Sequence, residues 1–350
     1  MAAQDDDTIR LTPVRPASGQ VQAAPQPSLR TPTRRGVLVP ALLVGMVAAL
    51  GGGGAWWWLR PGEAPPALPL PPTAVPSAAP RIAVSPVPIA PEPPSLADRL
   101  ASLPPLLDEA AIRAHRAAQP TLLRYAGNPA VFVMDFPTLE AQGAALNRFA
   151  ALVEKAGMPR ERVLNEVEMA DAIARNGDTA ATFYYGHNYR GTDIARFFRL
   201  AAQVGATLRP EEAWVERQFH QARSLLPEGQ EIVMLSIAAP DARMEPSWRA
   251  TILRHELGHG LFGTTPAYAA HIHRVWRERF TEAERAAFRD FLGREGYDTG
   301  IEQLMVDETQ AYLLHTPDPR FFNAMHVGMT EAEVARLRGL LREGAPVHLP

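Results

Sequence analysis

Short apolar or β-branched runs alternate with longer stretches of helical period in the C-terminal two thirds of the chain. Strand-like runs lie at 131–135 (VFVMD), 181–185 (ATFYY) and 231–237 (EIVMLSI), each short and rich in branched or aromatic side chains. Apolar positions repeat every three to four residues over about 138–156, 192–204, 211–225, 247–262, 267–279, 282–292, 300–315 and 331–342, which predicts a helix at each. Two of these open with a capping box, Thr281 with Glu284 and Thr330 with Glu333, where each side chain can satisfy the other residue's backbone N–H. Strands and helices mix at first, and helices alone follow. The expected fold class is therefore α+β, a small sheet followed by a mostly helical C-terminal half.

The pattern changes sharply before residue 96. Residues 36–58 form 23 positions without a charge, long enough as a helix (~35 Å) to cross a ~30 Å hydrocarbon core. Trp56, Trp57 and Trp58 stand where an interfacial aromatic belt would lie, although Gly51 to Gly54 weaken the helix. Arg30, Arg34 and Arg35 precede this run and only Arg60 follows closely, which orients the N-terminus to the cytoplasm and everything after residue 60 to the outside. Thr33-Arg34-Arg35-Gly36 also resembles a twin-arginine export signal. No small-residue cleavage site directly follows the apolar run, so an uncleaved anchor is favoured. Residues 1–35 are too poor in large apolar groups to offset their chain entropy and are expected to be disordered. The segment 59–95 is a proline-rich linker: 13 of the 34 prolines and three charges fall in 61–95. The expectation is a single-pass protein of the cytoplasmic membrane, with a globular domain at 96–350 on the periplasmic or extracellular side.

Composition narrows the chemistry. The chain has no cysteine, which excludes disulfides, thiolate zinc sites, iron–sulfur clusters and a cysteine nucleophile. A net charge of −3 gives no support to nucleic-acid binding, which wants a basic field.

One segment carries a reaction. His255-Glu256-Leu257-Gly258-His259 is an H-E-x-x-H string, expected by chance in about 0.02 of chains this long. On a helix His255 and His259 project ~40° apart and one turn apart, so both imidazoles can share one zinc ion. Glu256 then lies beside the metal, placed to deprotonate a water on it and pass the proton to a leaving amine. Gly258 costs ~1 kcal/mol against Ala in a helix interior, which implies that another group approaches closely there. The bland alternative, a surface helix with two histidines, fits poorly with two glycines and the apolar Ile252, Leu253, Leu257, Leu261 and Phe262.

Over these residues, and in its strands-then-helices order, the chain resembles the zincin metallopeptidases. The resemblance implies zinc, a peptide or protein substrate, and an edge strand lining the cleft, which by analogy would be 231–237. The third ligand is not the metzincin histidine, because Phe262 and Thr265 occupy the positions of that pattern's glycine and histidine. Val306-Asp307-Glu308-Thr309-Gln310-Ala311-Tyr312 instead resembles the gluzincin helix, whose glutamate completes the zinc sphere. That makes Glu308 the expected third ligand and Asp307 a carboxylate orienting a ligand histidine. Glu302, His271 and His273 are the rivals, and the last two cannot serve together from one helix. Tyr312 is taken as the donor to the oxyanion, with His315, Tyr297 and His326 also eligible. Residues 184–191 (YYGHNYRG) make a plausible substrate-contacting loop or a plain βα turn. Two other functions share these features: a non-catalytic zincin-like regulator of the cell envelope, and a zinc amidase acting on a cell-wall polymer. Glu256 argues against the first, since a pure metal clip needs no such carboxylate.

Overall fold

A computed structural model describes residues 103–350. The expected disordered tail, the apolar span 36–58 and the proline-rich linker lie outside the described residues. No helix among the described residues is long and apolar enough to cross a membrane.

The chain runs β1 (Leu106–Leu107), α1 (Glu109–Ala114), β2 (Thr121–Tyr125), β3 (Val131–Phe136), α2 (Leu139–Val153) and α3 (Glu166–Arg175). It continues through β4 (His187–Arg190), α4 (Gly191–Gln203), α5 (Pro210–Ser224), β5 (Val233–Ala238) and α6 (Pro246–Thr264). The remainder is helical: α7 (Pro266–Glu278), α8 (Glu282–Arg294), α9 (Glu302–His315), a 3-10 turn (Ala324–Val327) and α10 (Glu331–Arg342). The fold is mixed α and β with a five-stranded sheet in its first half, as the residue pattern implied. Strand order is β1-β2-β3-β5-β4; β3 and β5 run parallel at the centre and β4 lies antiparallel to β5 at one edge.

Every residue of β3 and β5 is buried, so helices must cover both faces. Glycines set how closely α6 lies on one of them. A Cβ at Gly260 would meet Val131 at 2.9 Å, and one at Gly263 would meet Val233 at 2.5 Å. Pro246 opens α6 at a position where its missing N–H costs nothing. Both anticipated capping boxes form, at Thr281 and at Thr330.

A buried ion pair locks α6 to the sheet. Arg249 grips Asp135 of β3 through Nη1–Oδ1 at 2.9 Å and Nη2–Oδ2 at 3.0 Å, with both side chains fully buried. The same guanidinium donates to the carbonyl oxygens of Ala238, Ile112 and His115. His115 adds Nδ1 to Asp135 Oδ2 at 2.6 Å. One arginine thus ties together the start of α6, the end of β5 and the end of α1. Removing its carboxylate strands a buried charge. Asp135→Ala is expected to lower unfolding free energy by about 3–5 kcal/mol, read as a shift of the urea midpoint at constant m-value.

Three expectations need correction. Residues 181–185 are turn, although Ala181, Phe183 and Tyr184 are buried as a strand's would be. Side chains of α2 take over the hydrogen bonds a ladder would have made. Asn147 donates to the carbonyl of Ala180 at 2.8 Å and Gln142 to that of Tyr185 at 3.0 Å. Gly143 makes this possible, since a Cβ there would fall 2.1 Å from the Ala180 oxygen. The strand instead forms at 187–190, within the segment read as loop or turn. Second, β5 is not an edge strand; β1 and β4 are, and β4 is the edge beside β5. Third, β1, β2, α1 and α3 went unanticipated. For α3 the signal was present: Asn165 and Glu168 form a capping box.

Candidate metal centre

Helices α6 and α9 lie against each other because Gly258 has no side chain. A Cβ there would come within 2.7 Å of the His315 ring. The glycine inside the H-E-x-x-H string thus has the close neighbour its cost implied.

This contact brings the two halves of the candidate site together. His255 and His259 point their Nε2 atoms at the same spot, 3.1 Å apart. Glu308 of α9 stands opposite, with Oε2 3.5 Å from His255 Nε2 and Oε1 3.5 Å from His259 Nε2. The three residues form a buried cluster whose ligand atoms all lie within 4.8 Å of one another, a set able to hold a metal ion. The far ring nitrogens are already engaged. His259 Nδ1 meets Asp307 Oδ1 at 2.8 Å and His255 Nδ1 meets Thr316 Oγ1 at 2.9 Å. Such outer partners fix the ring orientation and leave Nε2 for a metal. Glu308 Oε2 has no hydrogen-bond partner despite its burial. An orphaned carboxylate oxygen facing two imidazole nitrogens fits a divalent cation.

The electrostatics agree with that fit. Burial raises the Glu308 carboxyl above its usual range, while His259 and the Tyr297 hydroxyl pull it back. Burial also acts to lower His259, but Glu308, Asp307 and Glu256 more than offset it and hold the ring up at about 10. His255 is pushed well below its usual value by burial and by the neighbouring His259. The site is a water-poor chamber whose carboxylates call for positive charge.

Glu256 is placed by β4, a contribution the sequence reading did not assign. Gly186 makes room for it: a Cβ there would lie 2.2 Å from Glu256 Oε1. The Asn188 amide donates to Oε2 at 3.3 Å. Burial raises the Glu256 carboxyl to about 8; His259 opposes that and Glu308 adds to it. The segment 184–191 therefore supplies a glycine and an amide to the Glu256 carboxylate. A G-x-N spacing after aromatics is too common to have signalled this. Thr316, one residue past α9, carried no signal either.

Tyr312 sits against His255. Its ring meets His255 edge-on at 4.8 Å and packs on Phe291 and Phe322, and its hydroxyl is buried on the side of Tyr297. His315 is the neighbour of Gly258, and burial lowers its ring to about 3. The rival ligands are engaged elsewhere. His271 bonds the Leu341 carbonyl, His273 bonds Gln303, and Glu302 holds the Trp276 indole and Arg289.

A pocket of about 230 Å³ opens beside the cluster between β4, the end of α2 and the start of α9. Asn188 and Asp307 line it, so its wall includes one partner of Glu256 and one partner of His259. Glu154 and Arg190 line it as well. Comparison of the chain with protein-family models, curated proteins and solved structures finds no match.

Proposed function

We propose that the chain is a zinc-dependent metallopeptidase of gluzincin type, built on a zincin-like domain. His255, His259 and Glu308 hold the metal and Glu256 is the general base. The segment 36–58 anchors it, with the catalytic domain outside the cytoplasmic membrane. The observation that carries this reading is the convergence of two Nε2 atoms and one orphaned carboxylate on a single point, with Glu256 beside it.

Zinc held there supplies a Lewis acid for a peptide carbonyl and lowers the pKa of water toward ~7. The chain's own groups do the rest. Glu256 takes a proton from the attacking water and gives it to the departing amine. Burial without a cationic side-chain partner of its own among the described residues leaves this carboxylate free to exchange a proton rather than locked in a salt bridge. Asn188 steers Oε2 and Gly186 leaves space for Oε1. Asp307 and Thr316 keep the imidazoles aimed. Tyr312 is the proposed donor to the developing oxyanion. The substrate is a peptide or protein, entering along the pocket beside β4.

The test is metal removal. Dialysis of the full chain against 1,10-phenanthroline is expected to abolish hydrolysis of a quenched-fluorescent peptide library, and about one equivalent of zinc to restore it. Hydrolysis that persists in fully metal-free protein would refute the proposal.

A further inference from the structure

Of the 35 Lys and Arg residues in the chain, 34 are arginine and one is lysine, Lys155. That single ammonium is not at the surface, where lysines normally lie. It is 3% exposed. It follows α2, on a segment whose backbone pairs with the turn after α8: Lys155 bridges Tyr297, and the Ala156 N–H donates to the Gly296 oxygen at 3.0 Å. Nζ stands 4.4 Å from the ring centre of Phe183 and 4.8 Å from that of Tyr184. Gly296, at φ +94°, clears a place for it, since a Cβ there would come within 2.9 Å of Nζ. Lys155 is also part of the wall of a pocket of about 260 Å³, together with Asn176, Asp178, Arg294 and Glu295.

A cation held only to stack on aromatic rings could as well be arginine. This chain uses arginine for that elsewhere, with Arg190 over Phe262 and Arg289 over Trp276. What lysine can do and arginine cannot is lose its proton and attack carbon. We propose that Lys155 is a reactive amine that condenses with a small aldehyde or ketone entering this pocket.

The step balances as follows. The Nζ lone pair forms a bond to the carbonyl carbon, and the C=O pair moves to oxygen, which takes a proton. Nitrogen gives up one proton to leave a neutral carbinolamine. Its hydroxyl is protonated and departs as water while the nitrogen lone pair closes C=N, giving an iminium ion. We assign the handing over of these protons to Asp178, which shares the pocket wall with Lys155, is half-buried and is raised by burial to about 6. Charge selects the carbonyl over other electrophiles. Asp178, Glu154 and Glu295 all face the amine electrostatically, with Arg294 on the same pocket wall. An iminium ion keeps the positive charge these carboxylates need. An acyl amide would erase it and a carbamate would reverse it.

Burial lowers the amine to about 8 against the pull of Asp178, Glu154 and Glu295. At pH 7.5 roughly a quarter is then free base, against ~0.1% for an unperturbed lysine at ~10.4.

The experiment treats the full chain at pH 7.5 with propanal and cyanoborohydride, with Nα-acetyl-lysine amide in the same vessel as reference. Peptide mapping reads N-propylation at position 155. Lys155 is expected to react at least about tenfold faster than the reference, with a rate that levels off above pH 8. Reaction at or below the reference rate, the behaviour of an amine sealed between two rings, would overturn the proposal. Asp178→Asn is expected to slow labelling several-fold without lowering Tm. An unchanged rate in that variant removes the proton donor and, with it, the argument for a carbonyl ligand. Neither readout depends on the metal centre.

Discussion

Glu256→Gln is expected to leave zinc bound at about one ion per chain and to cut peptide hydrolysis by ~10³–10⁴, the span that positioned acid–base groups contribute. Glutamine keeps the shape of the side chain and can still occupy the space Gly186 provides and meet the Asn188 amide. What it lacks is the ability to take up and return a proton. The loss should appear in kcat, with KM little changed, because Glu256 is not proposed to bind substrate. A stability measurement separates this from a folding defect. In the metal-free protein the Glu256 carboxyl has a folded pKa raised to about 8 by burial. The native state therefore binds more protons than the unfolded chain between roughly pH 4.5 and 8, so ionisation of this group costs stability as pH rises through that window. Glutamine removes that cost. The metal-free variant should melt no lower than the metal-free parent at pH 7.5. Full activity in the variant would remove Glu256 from the mechanism and favour a site in which the metal alone activates water.

The parts of this site that were readable in advance share one property: they depend on local spacing. Two histidines four apart on a helix must share a face, and Asp307-Glu308 must follow each other along α9. The cost of Gly258 was also readable, although the His315 ring that explains it lies more than fifty residues away. The helices announced themselves by period and by capping boxes. What stayed hidden depends on tertiary partners. Residues 181–185 have the composition of a strand, yet Asn147 and Gln142 satisfy their backbone and Gly143 admits the Ala180 carbonyl. A periodicity argument cannot see hydrogen bonds donated by a helix some forty residues earlier. Likewise, nothing near Asn188 in sequence says that it meets Glu256, and β5 could not be told from an edge strand until β4 was placed outside it. Burial of both faces is what marks β5 as central, and a continuous apolar run shows that only ambiguously.

Glu308→Ala is expected to reduce bound zinc from about one ion per chain to a small fraction after equilibration with a weak chelator. The size of the loss can be set against a graded series. Asp307 and Thr316 touch His259 and His255 without belonging to the cluster, so Asp307→Asn and Thr316→Val should weaken zinc by ~10–100-fold each, the usual cost of an outer partner. Glu308 must cost more than either, because its removal deletes one of three protein donors and a negative charge in a buried chamber. Glu302→Ala should leave zinc untouched, since that carboxylate is committed to Trp276 and Arg289. The order Glu308, then Asp307 and Thr316, then Glu302 is a stronger test than any single variant. General destabilisation by substitution on α9 would lower zinc without respecting it. If Glu308→Ala retained metal as well as Asp307→Asn does, the third donor would have to be sought elsewhere, while the pairing of His255 with His259 would stand.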